Sequence, residues 1–260
     1  MREHRLNTIH SGLAPLADDQ RPLLFCLPFA GGGSGVFRQW PAALEDLVQV
    51  CPLLLPGREA RMGEPAVGQM EALVPTLASA LAALLRPPGA LHARRWSIYG
   101  HSMGAAIAWE LALRLEREPG MAPPDWLIVS GRGTPGLARQ RAPLHQLDDA
   151  AFRLALGQMG GTPPEVLAED ELMALLLPML RADFRLIETW QPSAGALART
   201  RILAVGADDD IESVRARLEG WHGRSERGAR IVELRGDHFS IVRQPAALLA
   251  LIRDALACPP

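Results

Sequence analysis

A chain of 260 residues with 48% hydrophobic and 22% charged side chains has the balance of a folded globular protein and ample material for a core. A formal net charge of −2 argues against nucleic acid or an anionic membrane as partner. Cys26, Cys51 and Cys258 lack Cys-x-x-Cys spacing and partnered histidines, which argues against a zinc site, and no apolar run reaches membrane-spanning length. A soluble, cytoplasmic monomer with no metal is expected.

Residues 1–21 are polar and aperiodic and read as an arm. The run Pro22-Leu23-Leu24-Phe25-Cys26-Leu27-Pro28 has the continuous apolarity of a strand covered on both faces. It ends in Phe29-Ala30-Gly31-Gly32-Gly33-Ser34-Gly35. A phosphate cradle would want Gly-Lys-Ser/Thr, and a dinucleotide fingerprint would want glycine where Val36 stands. A tight loop is the bland reading of these glycines. An oxyanion hole, with the Ala30 N–H facing that of Met103, is the functional one.

Val48 to Leu55 reads as the next strand, closed by Pro56-Gly57-Arg58-Glu59. An amphipathic helix is predicted over 69–86 through Met70, Leu73, Leu77, Leu81 and Leu84, with an irregular start near Pro75. Trp96-Ser97-Ile98-Tyr99 then leads into Gly100-His101-Ser102-Met103-Gly104 and a run of good helix formers. Strand, Gly-x-Ser-x-Gly, helix is the arrangement of a nucleophile elbow. The turn is so tight that side chains two positions either side of the serine would collide, and it presents the Ser102 hydroxyl above the sheet.

Trp126 to Ser130 is another strand, and this alternation predicts parallel pairing with helices on both faces of the sheet. From about 143 to 190 only helical material appears. Asp148 or Asp149 caps a first helix carrying Phe152, Leu154 and Leu156, and Gly160-Gly161 stops it. Thr162-Pro163-Pro164-Glu165 reads as a capping box. Glu171 to Glu188 reads as a longer helix, bent at Pro178. Such an insertion into a single α/β domain would serve either as a plain cover for the sheet or as a lid over an apolar acyl channel. The sheet resumes at Thr200 to Gly206, followed by Ala207-Asp208-Asp209-Asp210. Ala229 to Leu234 leads to Gly236-Asp237-His238-Phe239, and Pro245 to Ala257 closes the chain as a helix.

A serine hydroxyl needs a base to accept its proton, and the base needs an anchor that fixes its tautomer. On this fold the order is Ser, acid, His. Of the seven histidines, only His222 and His238 follow the acidic run, and His222 looks like a surface helix end. His4, His10, His92 and His145 lie in polar or loop surroundings and are expected in solvent, whereas His101 is a candidate pocket residue. His238 is therefore the base. Three consecutive aspartates leave the choice of acid open.

These features together resemble a type II thioesterase, the stand-alone editing hydrolase of non-ribosomal peptide and polyketide synthases. The resemblance spans about residues 22–255. It rests on Leu27-Pro28-Phe29-Ala30-Gly31-Gly32, Pro56-Gly57-Arg58, the elbow, Gly160-Gly161-Thr162-Pro163, Pro178-Met179-Leu180-Arg181-Ala182-Asp183-Phe184, and Gly236-Asp237-His238-Phe239. It implies an α/β-hydrolase fold with a helical lid, and hydrolysis of acyl groups from the phosphopantetheine arm of carrier proteins. Ser102, Asp209 and His238 would form the triad, with Asp209 chosen because the family's acid stands three residues after Gly206. Ala30 and Met103 would form the oxyanion hole, and Phe29, His101, Met173, Leu177 and Phe184 would line the pocket. No cofactor is implied beyond the phosphopantetheine that the substrate carries. The family usually has glycine where Asp237 stands, and often proline where Asp210 stands.

Overall fold

The computed structural model describes residues 20–257. The arm, apart from its last two residues, lies outside that range, as do His4, His10 and Cys258. Six strands form one sheet: β1 (Leu23–Leu27), β2 (Gln49–Pro52), β3 (Trp96–His101), β4 (Trp126–Ser130), β5 (Arg201–Ala207) and β6 (Ala229–Leu234). Their order is β2-β1-β3-β4-β5-β6, and every neighbouring pair is parallel.

The inner strands are continuous apolar runs because both faces are covered. Leu23, Phe25 and Leu27 of β1 join Ile98, Leu127 and Ile202 in one core, with helices α1 (Met70–Leu85) and α2 (Met103–Glu116). The alternate residues Leu24 and Cys26 join Tyr99, Ile128 and Leu203 in a second core, with Phe37, Trp40 and the final helix. The period of two thus sorts one apolar run into two layers. Each fully buried Leu or Ile contributes about 1.5–3 kcal/mol. Cys26 and Cys51 are buried free thiols.

The chain runs from β1 outward to β2, then crosses back to β3 on the other side of β1. That reversal opens a crevice beyond the carboxyl ends of β1 and β3, where such sheets bind ligands. The glycine loop after β1 and the elbow after β3 flank it.

Three helices intervene between β4 and β5: α3 (Asp149–Met159), α4 (Pro164–Ala168) and α5 (Asp170–Thr189). They share a core of their own, Phe152, Leu156, Met173, Met179, Leu180 and Phe184. Asp148 caps α3 by accepting the Ala151 N–H at 2.8 Å, and Gly160 ends it with φ +72. The capping box does not form, because Pro163 occupies the N-cap of α4 and no side chain bonds its first turn. Pro75 and Pro178 lie inside α1 and α5, and both helices continue past them. The carbonyls robbed of partners four residues earlier belong to Glu71 and Ala174, both exposed, so water can satisfy them. The closing helix is α6 (Ala246–Ala257).

Candidate active site

Ser102 has φ +55 and ψ −110, a conformation that costs about 1–3 kcal/mol and persists only where the surroundings enforce it. They do so by close approach. A Cβ on Gly100 would lie 2.1 Å from the Gly104 carbonyl oxygen, and one on Gly104 would lie 2.3 Å from that of Leu27. The Ser102 N–H donates to the Ser130 carbonyl at 2.8 Å, tying the elbow to the end of β4. Met103 opens α2, so its N–H belongs to the first turn of a helix, where donors lack intrahelical acceptors. Among the described residues neither it nor the Ala30 N–H meets a backbone carbonyl.

His238 follows β6, and its Nδ1 lies 2.7 Å from Asp210 Oδ2. The structure therefore brings Asp210, not the expected Asp209, to the histidine. The cause is the turn after β5, which the Asp210 N–H closes on the Ala207 carbonyl at 3.2 Å. It leaves Asp208 and Asp209 exposed and turns the Asp210 carboxylate inward, to 3% exposure. Asp208 instead accepts the Gly236 N–H at 2.8 Å. Asp210 also accepts the Ser213 hydroxyl at 2.6 Å and the Glu212 N–H at 3.0 Å. Burial alone would raise its pKa, but the His238 hydrogen bond and charge, with these two donors, outweigh it and hold the carboxyl below the ordinary range.

Ser102, His238 and Asp210 line one cavity with Phe29, Ala30 and Phe184. Arg139 and Arg141, both exposed, also line it, and neither has an ion-pair partner among the described residues. The wall is completed by α3 and α5 through Leu156, Met159 and Ile187. The sequence marked Leu156 only as a residue of the first inserted helix, and its place on the cavity wall comes from packing. Thr162, freed of a capping role, faces the cavity too.

Three expected pocket residues are elsewhere. His101 is fully buried beneath the cavity, with Nδ1 2.8 Å from Ser130 Oγ, because its strand position points it into the sheet. Its ring centroid is 5.0 Å from that of His238. Burial, and then the nearby His238 charge, push its pKa down to about 3. Met173 and Leu177 line a different surface groove with Asp149 and Arg153. Met173 shares a helix face with Phe184 but precedes it by eleven residues, about 16 Å along the axis. His145 is also not solvated: Glu188 accepts its ring Nδ1–H at 2.5 Å and its backbone N–H at 3.0 Å. His92 and His222 are exposed as expected.

Asp237 accepts the Phe239 and Ser240 N–H groups at 2.9 and 2.8 Å and pairs with Arg243. The Arg243 hydrogen bond, above all, lowers its pKa to about 2. It braces the turn that carries His238 without touching the histidine ring.

The model of the thioesterase domain family matches residues 22–256. This chain belongs to that family. The thioesterase is 34% identical over 237 residues to linear gramicidin dehydrogenase LgrE of Brevibacillus parabrevis, covering 90% of this chain and 87% of that one. It is 35% identical over 216 residues to gramicidin S biosynthesis protein GrsT of Aneurinibacillus migulanus, covering 83% and 81%. The type II thioesterase BorB from the borrelidin biosynthetic cluster superposes with a TM-score of 0.78 at 29% identity, over 95% of this chain and 96% of that one. The thioesterase has the α/β-hydrolase fold and is an enzyme of thioester hydrolysis. No helix among its described residues is long and apolar enough to cross a membrane.

Proposed function

We propose that this thioesterase is an editing enzyme that clears stalled or wrongly primed acyl groups from the phosphopantetheine arm of carrier proteins in a peptide or polyketide assembly line. The observation that carries the reading is a hydrogen-bonded Asp210–His238 pair sharing one cavity with Ser102, under a wall built by the inserted helices. The pathway names of its relatives support the substrate class. Arg139 and Arg141 at the cavity suit an anionic substrate such as a phosphodiester-bearing arm. One relative's dehydrogenase name is not carried over: the Gly31 N–H, which a dinucleotide loop would offer to phosphate, is occupied by Asp183 at 2.7 Å.

In this mechanism Asp210 holds the His238 tautomer whose Nε2 is free to accept the Ser102 proton. Ser102 Oγ attacks the thioester carbonyl carbon, and the Ala30 and Met103 N–H groups stabilise the developing oxyanion. The C–S bond breaks, and His238 returns the proton to the departing pantetheine thiolate. Water, deprotonated by His238, then adds to the acyl-enzyme and releases the acid with Ser102 restored. The helices α3 to α5 act as the lid, and Phe29 and Phe184 bound the acyl site. No metal or redox cofactor takes part.

The test compares acetyl-phosphopantetheinyl carrier protein, acetyl-pantetheine and a p-nitrophenyl ester, with wild type and Ser102→Ala. Fast release from the carrier, abolished in Ser102→Ala, is expected. Equal or better turnover of the free ester with the carrier left loaded would instead make the protein a general esterase.

A further inference from the structure

Two sequence segments that the triad does not use, Pro56-Gly57-Arg58 and Arg181-Ala182-Asp183, meet behind the glycine loop. Arg58 Nη2 donates to Asp183 Oδ1 at 2.6 Å, and Nη1 donates to Asp183 Oδ2 at 2.9 Å. Both side chains are at most 7% exposed. The same pair grips the loop backbone: Asp183 Oδ2 accepts the Gly31 N–H at 2.7 Å, and Arg58 Nη1 donates to the Gly32 carbonyl at 2.8 Å.

These grips bear on the donor beside Ser102. The Gly32 N–H donates to the Phe29 carbonyl at 2.9 Å, closing a four-residue turn whose third residue, Gly31, has φ +84. Peptide planarity then sets the Ala30 N–H opposite the Phe29 carbonyl. The middle peptide of such a turn, Ala30 to Gly31, can rotate at little cost in sterics, because glycine accepts either sign of φ. Asp183 holds it by its N–H, and Arg58 holds the Gly32 carbonyl. Gly32 thus stays seated, and its N–H keeps the Phe29 carbonyl, and with it the Ala30 N–H on the same peptide, in place. Leu180, one helical turn before Asp183, packs on the Gly31 Cα so closely that a Cβ there would meet Leu180 Cδ2 at 2.5 Å.

We infer that Arg58 and Asp183 are positioning residues for catalysis, which aim the Ala30 N–H into the oxyanion hole and make its geometry depend on the seating of α5. The inference rests on the proposed role of Ala30 as an oxyanion donor. It does not rest on the identity of the acyl carrier. Arg58 suits the task better than lysine would, because its planar fork meets both carboxylate oxygens and the Gly32 carbonyl at once.

The experiment measures kcat and KM with acetyl-pantetheine and with p-nitrophenyl acetate for Arg58→Lys, Asp183→Asn and the paired Arg58→Met/Asp183→Leu. Melting temperatures, the affinity of an uncleavable acyl-pantetheine thioether and the affinity of an alkylboronic acid are read alongside. Ser102 Oγ adds to the boronic acid to give a tetrahedral borate with an oxygen in the hole. The expected result is a loss in kcat of roughly 10- to 100-fold, short of the 10²–10³ for deleting a donor outright. Boronate affinity should fall in parallel, while KM and thioether affinity stay near wild type. If the paired variant does not fold, Arg58→Lys alone carries the test, because it keeps the charge and loses only the fork. Folded variants with wild-type kcat and boronate affinity would overturn the inference, as would losses that follow melting temperature and ground-state affinity alone. Both small substrates lack a carrier protein, so failure of the editing reading leaves this outcome readable.

Discussion

Asp209 and Asp210 carry the same carboxyl group one peptide apart, and the turn that ends β5 separates them into an exposed and a buried side chain. The buried one must be fully satisfied, and it is, by His238, Ser213 and the Glu212 backbone. Asp210→Asn would keep the shape but lets its amide donate toward Nδ1, which favours the wrong tautomer. Its kcat is expected to fall on the order of 10⁴-fold with the fold intact. Asp209→Asn, by contrast, should keep kcat within about twofold, as surface substitutions usually do. Parallel kinetics on the two proteins, with circular dichroism to show folding, check this. The elbow, its two glycines and His238 were legible from residue types because each role demands one chemistry. The acid was not, because three identical neighbours differ only in which way a turn faces them.

At the scale of elements, α5 does more than cover the cavity. Its Glu188 accepts the Leu144 and His145 N–H groups at 2.7 and 3.0 Å, and its Arg181 donates to the His145 and Leu147 carbonyls at 2.8 and 2.6 Å. The segment between β4 and α3, which carries Arg139 and Arg141 to the cavity, is thereby sewn to the helix at one end. Glu188→Ala leaves two largely buried N–H groups unsatisfied and is expected to destabilise the protein by about 2–3 kcal/mol. Limited proteolysis should cut faster between residues 137 and 147, and KM should rise while kcat changes less. An unchanged cleavage pattern would show that the segment holds without the clamp. The helical period revealed that α5 exists and which face is apolar. It could not say that its C-terminal half faces Ser102 while Met173 and Leu177 serve a groove about two to three turns away.

For the molecule as a whole, buried polar groups tie the layers together. Glu116 of α2 accepts the Ala198 and Arg199 N–H groups and the Thr200 hydroxyl, and Glu110 accepts the Trp190 indole and the Ser193 N–H. These carboxylates anchor the return from the helical insertion to β5. His101 sits deeper still, and its pKa of about 3 makes it a determinant of acid stability. The unfolded chain binds a proton at His101 near pH 6.5, and the native state does so only near pH 3. Its contribution is complete above about pH 6.5 and is lost as pH falls toward 3, since the unfolded state then binds more protons. His101→Gln cannot take up that proton, so its melting temperature should fall less than that of wild type between pH 7 and pH 4. Parallel pH profiles would remove this role from His101.

The sequence by itself determined the alternation of strands and helices, the two-sided burial of β1, the elbow with its serine and the choice of His238 among the histidines, and its motifs carried the resemblance to the thioesterase family. The strands and helices are written in local periodicity, the elbow and the histidine in residue types, and the family in a set of short motifs. Tertiary structure alone decided which aspartate meets His238, that His101 lies beneath the cavity, which half of α5 forms its wall, and that Arg58 and Asp183 meet across 125 residues of chain behind the Ala30 loop. Those are matters of direction and distance, set by turns and packing that bring remote segments together, and no local pattern encodes them.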